Sequence, residues 1–282
     1  MMARKFQSAK DALAAMRLNP DIIAENSTVV SAHVSADAEK SEVLSPSSSE
    51  APIPFSVNRG SHVANSFTAS LVTEVGLPKL IDFTSRFYDK AFVDNKLDPF
   101  IRDHNDPHAH RFASWIFEKM GGGNVWSEER STRSVCPFSA HGHRFQTPHD
   151  RSSAHYAAWH SPKRDPEEWG EHFKLDECRV WMRLHFWAAR EAGIFDDHPR
   201  FAEYYVRLIG HFVSVYENTA PPFARDSARW SANPVNVEDY KTHGSMRDVS
   251  DISLREALAR LPAEERIYSG SNASVKHWPY EL

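Results

Sequence analysis

Histidine is the residue type that most invites chemistry in this chain. Eight of its sixteen histidines fall between His104 and His160, and neutral imidazole is the commonest metal ligand near neutral pH. The spacing argues against a conventional zinc site. His108 and His110 are two apart, roughly 200° around a helix of 3.6 residues per turn, so one ion cannot take both. His141 and His143 could share an ion only in extended chain. There is no HExxH and no carboxylate at a ligand spacing, which leaves a non-haem, His-ligated metalloenzyme as an alternative reading. Two cysteines, Cys136 and Cys178, make neither a disulfide framework nor a CxxC metal site. Gly121 to Gly123 lack the Lys-Ser/Thr of a phosphate loop and follow a helix, where a phosphate loop precedes one. No GxSxG nucleophile motif is present.

Composition narrows the classes further. The chain has 282 residues, 33 basic against 38 acidic, and a net charge of -5, so no global basic field draws it to nucleic acid. Mean hydropathy is -0.54, and no apolar run approaches the roughly 18 residues that a membrane span needs. The cysteine usage points to a reducing, cytoplasmic setting. The basic start MMARKFQSAK also reads as an organelle-targeting helix. Residues 27 to 60 are rich in Ser, Ala, Glu and Pro and nearly empty of large aromatics, a composition that cannot offset its chain entropy. Residues 1–64 are therefore expected to be leader and mostly disordered linker, 65–218 a folded domain, and 219–282 an irregular extension held by anchors such as Phe223, Trp230 and Tyr240.

The elements that would position a site are helices. Leu80, Phe83, Phe87 and Ala91 recur at steps of three and four, with Tyr88 on the same face. Asp106 and Pro107 open a second helix with Phe112, Trp115 and Ile116 inward, and the glycines stop it. Residues 124–174 read as loops around short helical turns. A third helix places Cys178, Trp181, His185, Ala188 and Ala192 on one face and ends at Gly193. A fourth begins at Pro199 and buries Phe201, Tyr204, Tyr205, Leu208, Phe212, Val215 and Tyr216. Strand-type alternation is scarce, so the domain is expected to be all-α. Aromatic helices with single well-placed histidines suit a buried flat cofactor such as haem, whose iron takes one proximal His.

FYDKAFVDNKLDPF at 87–100, HAHRFASWIFEKMGGGNVWSEER at 108–130, DRSSAH at 150–155 and KLDECRVWMRLHFWAA at 174–189 together resemble the truncated haemoglobins, most closely their second group. The resemblance spans roughly residues 70–216, with the motifs in the family's order. It implies a globin-like helical sandwich that binds haem b and, at its iron, O2, NO or CO. Activities of NO dioxygenation or peroxidase type follow as expectations from the same resemblance. It implies His155 as the proximal iron ligand, Tyr88 and Trp181 as hydrogen-bond donors to the bound ligand, and at the distal helix position His108 counting back from the glycine stop or Ala109 counting forward from Tyr88. Phe87 and Phe112 would face the ring, Arg111 would pair with a haem propionate, and Phe100 or Ile101 would wedge at the helix corner.

Two insertions depart from the family. About 30 residues separate the glycine stop from His155, roughly twice the family's length, and AAWHSPKRDPEEWGEHF is added before Trp181. They bring in His149, His160 and His172 as competing ligands and offer a surface for a protein partner. A haem-free interaction module of the same fold is the other alternative.

Overall fold

The computed structural model describes residues 53–133, 151–250 and 252–266. A short antiparallel hairpin, β1 (Val57–Asn58) and β2 (Ser61–His62), precedes eleven helices among the described residues. These are α1 (Ser66–Val75), α2 (Leu77–Ala91), α3 (His108–Lys119), α4 (Val125–Ser131), α5 (Arg151–Trp159), α6 (Leu175–Glu191), α7 (Ile194–Asp197), α8 (Pro199–Val213), α9 (Phe223–Ala232), α10 (Pro234–His243) and α11 (Leu254–Ala259). A 3-10 turn, Asp98–Phe100, lies between α2 and α3. The all-α expectation holds. No described helix is long and apolar enough to cross a membrane.

The centre of the molecule is α6. Val180, Met182, Leu184, His185, Phe186, Ala188 and Ala189 are all buried, so the helix is enclosed on every side rather than along one stripe. It packs against α2 on one flank and α9 on another, while α2 also packs along α3. Two arginines of α6, Arg179 and Arg183, are buried as well. Isolated charges there would be strongly destabilising, and the C-terminal segment neutralises them. Asp248 takes Arg183 in a two-pronged bond, both N···O distances 2.7 Å, and Asp226 lies 3.7 Å from Arg179 and 3.4 Å from Arg183.

The extension after residue 219 is therefore largely helical where described, and it completes the core: Phe223, Ala224, Ala228 and Trp230 are buried with α6 and α8. Core residues also lie earlier in the chain than composition suggests. Ile53 and Phe55 are buried, Arg207 of α8 donates to the Ile53 carbonyl at 2.8 Å, and His62 bonds the Tyr204 hydroxyl at 2.5 Å. Two apolar side chains suffice to pin a strap whose remaining residues are polar.

Most helix boundaries follow the sequence signals. Gly121, with φ of +95°, ends the α3 region in a conformation that L-residues avoid. Asp106 differs from expectation. Its side chain caps nothing in α3 and instead sits 3.6 Å from Arg111. Val215 and Tyr216 lie beyond the end of α8, in a turn where Tyr216 N–H bonds Val213 O at 3.0 Å.

Candidate functional site

A cavity of about 630 Å³ opens between α2, α3, α5, α6 and α8, within the roughly 300–1,000 Å³ typical of sites for small organic ligands. Its inner wall is apolar: Phe87, Ala91, Leu97, Phe100, Trp115 and Phe212 line it and are buried. Its polar lining includes the exposed Arg102, Asp103 and Asp106 and the half-buried Arg111. A flat apolar body with a charged edge would match that division.

All eight residues singled out from the sequence border this cavity: Phe87, Tyr88, Phe100, His108, Arg111, Phe112, His155 and Trp181. Phe87 packs edge-on to Tyr88 and Trp181, with ring centroids 5.0 and 5.6 Å apart. Phe112 stands 6.0 Å from Trp181 and 5.9 Å from Trp115. Both Phe100 and Ile101 line the cavity, and Phe100 is the buried one, under the Arg164 guanidinium at 4.5 Å.

The polar members differ in how they are held. Tyr88 keeps surface because it borders the cavity, yet burial of its hydroxyl raises its pKa strongly. Neither the Tyr88 hydroxyl nor the Trp181 indole N–H bonds another described residue, which leaves two donors on the cavity wall for a guest. His108 is committed elsewhere. Its Nε2 donates to the Asp103 carbonyl at 2.8 Å, and its ring stacks on Tyr88 at 5.2 Å. Burial, opposed by that bond, lowers its pKa. Arg111 holds Asp106 at 3.6 Å and Glu129 at 3.5 Å, ion pairs too long to be tight hydrogen bonds.

His155 lies on α5 and lines the cavity. Its Nδ1 is 2.7 Å from the Tyr216 hydroxyl. Phe173 and Tyr216 stand edge-on to its ring at 5.7 and 4.6 Å, and Trp159 packs on both of them. Its competitors are placed differently. His160 bonds the Tyr156 carbonyl at 2.8 Å and His172 stacks on Trp159 at 4.0 Å, and neither lines the cavity. His149, with His141 and His143, falls outside the described residues. Among the described residues no three His, Cys, Asp or Glu side chains gather as a metal-holding set, so the non-haem alternative finds no site there.

Several lining residues were not anticipated as such. Glu177 was read only as a charge at the start of α6. It is buried on the cavity wall, where desolvation pushes its carboxyl up to about 7 despite the Lys174 N–H bond and the Arg164 charge. Cys178 also lines the cavity, and burial raises its thiol well above the ordinary value, so it stays protonated rather than serving as a thiolate ligand. Phe173 belongs to the inserted segment, where no periodicity pointed to it. Tyr216 carried an aromatic signal but none for its bond to His155.

Comparison with protein-family models, with curated proteins and with solved structures returned no match for this chain.

Proposed function

We propose that the chain is a globin-like haem protein that binds O2 or another diatomic ligand, NO or CO, reversibly, with His155 as the iron ligand. The observation that carries the reading is the meeting of His155, Tyr88 and Trp181 around one cavity of suitable size, although 93 positions separate the first and last of the three in sequence. The order of the aromatic helices and the resemblance of their motifs to the second group of truncated haemoglobins support it.

The residues present fit the group. The cavity lining includes the His155 imidazole, the Tyr88 and Trp181 donors, an aromatic interior and the Arg111 cation beside its charged residues. Bound haem b supplies an iron with one open position for a diatomic molecule. His155 would hold the metal through Nε2. Phe87, Phe100 and Phe112 exclude water from the slot, and dry surroundings strengthen any hydrogen bond made there. The Tyr88 O–H and Trp181 N–H would donate hydrogen bonds to a bound diatomic molecule and slow its escape. His108 acts through Tyr88, stacked against its ring. Arg111, only loosely paired, is the cation for a propionate. Slow redox turnover, as NO dioxygenation or peroxidase-like chemistry, would be a side activity of the same site.

The test is a haemin titration of the full chain followed by dithionite and CO. A sharp Soret band that moves with CO is expected. His155→Gly should lose the five-coordinate ferrous spectrum and regain it with free imidazole. A flat titration by a protein that remains helical would overturn the proposal in favour of the haem-free module, and an unchanged His155→Gly spectrum would move the ligand elsewhere.

A further inference from the structure

Tyr216 stands outside the family motifs quoted above, in the turn that follows α8, yet its hydroxyl lies 2.7 Å from His155 Nδ1. Its place is tightly set. The Tyr216 N–H and the Glu217 N–H both bond the Val213 carbonyl at 3.0 Å. Its ring stands at 83° to Phe173, centroids 5.6 Å apart. The hydroxyl thus meets His155 Nδ1 from a fixed direction, supplied by a segment 61 residues away.

From this contact we infer that Tyr216 is a positioning residue that sets the donor strength of His155, keeping it a neutral imidazole suited to reversible ligand binding. The inference rests on the function proposed above. A histidine bound to a metal through Nε2 carries its proton on Nδ1, so Nδ1–H donates and the phenolic oxygen accepts. The outer partner fixes the tautomer, the ring orientation and the basicity of such a ligand. A carboxylate in that place would draw the proton and give the imidazole anionic character, pushing electron density toward the metal as an axial thiolate does when it favours O–O cleavage. A hydroxyl is a neutral, weaker acceptor. It orients the ring and leaves it uncharged.

Two substitutions with opposite chemistry separate this role from simple packing. Tyr216→Phe keeps the ring and deletes the acceptor, while Tyr216→Glu replaces it with a carboxylate. The readout is the iron–histidine stretching band of the haemin-loaded, dithionite-reduced full chain by resonance Raman spectroscopy. The band is expected to fall in frequency in Tyr216→Phe and to rise in Tyr216→Glu. Haemin affinity should weaken by about 10- to 100-fold in Tyr216→Phe, as for other outer partners of metal-bound histidines. If both variants move the band the same way, or neither moves it while His155→Gly abolishes it, His155 remains the ligand and the role of Tyr216 is refuted. If the wild-type chain shows no such band, the haem reading itself fails and this inference falls with it.

Discussion

Hydrogen bonds waiting for a guest are the residue-scale signature of this site. Tyr88 and Trp181 each offer one donor to the cavity, and a single such bond contributes about 0.5–1.5 kcal/mol net. Tyr88→Phe and Trp181→Phe should therefore each speed O2 dissociation from the haem-loaded chain by about 2- to 13-fold, measured by stopped-flow displacement with CO. Glu177 gives a prediction independent of any ligand. Its carboxyl is raised to about 7, mainly by burial, whereas the unfolded chain ionises it at the ordinary carboxylate value. Its contribution is thus fully present in acid and is lost as pH rises through about 7. Glu177→Gln keeps an acceptor for the Lys174 N–H without the charge, so it should match wild type near about pH 4 and exceed it by on the order of 2 kcal/mol near about pH 8 in denaturant unfolding. That Tyr88, Trp181 and His155 would line one cavity was legible because each sits in a motif with a type and a place. Tyr216 and Phe173 were not, because a contact between residues far apart in sequence leaves no trace in local spacing.

At the scale of elements, helices that mark their own ends were readable. Gly121 and Gly193, both at positive φ, stop their helices as expected, and the apolar periods of α2 and α8 locate their buried faces. The strap at 53–62 and the helices after residue 219 were harder, since each becomes stable only by docking on elements formed elsewhere. The arginines of α6 show why. A buried Arg looks like a solvated charge until its partner is known, and Asp248 lies 65 residues away from Arg183. Asp248→Ala should cost about 2 kcal/mol, in the range for hydrogen bonds to a charged group, because Asp226 alone then serves Arg183 from 3.4 Å. Equilibrium denaturation at neutral pH checks it, and Arg183→Met in the same background should recover part of the loss by removing the stranded charge.

At the scale of the whole molecule, burial lowers the pKa of four histidines, His62, His108, His172 and His185. Burial lowers the pKa of His62 to about 4, with His211 and Lys119 adding to the effect, and desolvation lowers His185 well below its ordinary value. His108 and His172 shift the same way through burial. In the unfolded chain these rings take up protons near pH 6.5, which the folded chain refuses. Stability is therefore fully present above that pH and declines as pH falls through it toward about 4. A series of denaturant unfolding curves across that window should show the decline, and His62→Gln should make it shallower. Glu177 and Asp94, both raised by burial, trend the opposite way.

The central placement of α6 also governs the order in which the chain can be completed during synthesis. Asp226 and Asp248 leave the ribosome well after Arg179 and Arg183. So does Tyr240, which donates to the buried Asp94 carboxylate at 2.7 Å across 146 positions. Until that last stretch emerges, the helix that everything else surrounds carries uncompensated cations on faces destined for the interior. A nascent chain halted before residue 226 would hold its aromatic helices without a closed core, a state exposed to chaperones and proteases. The cavity, whose wall is made by the same helix, is thereby placed among the final parts of the protein to take shape.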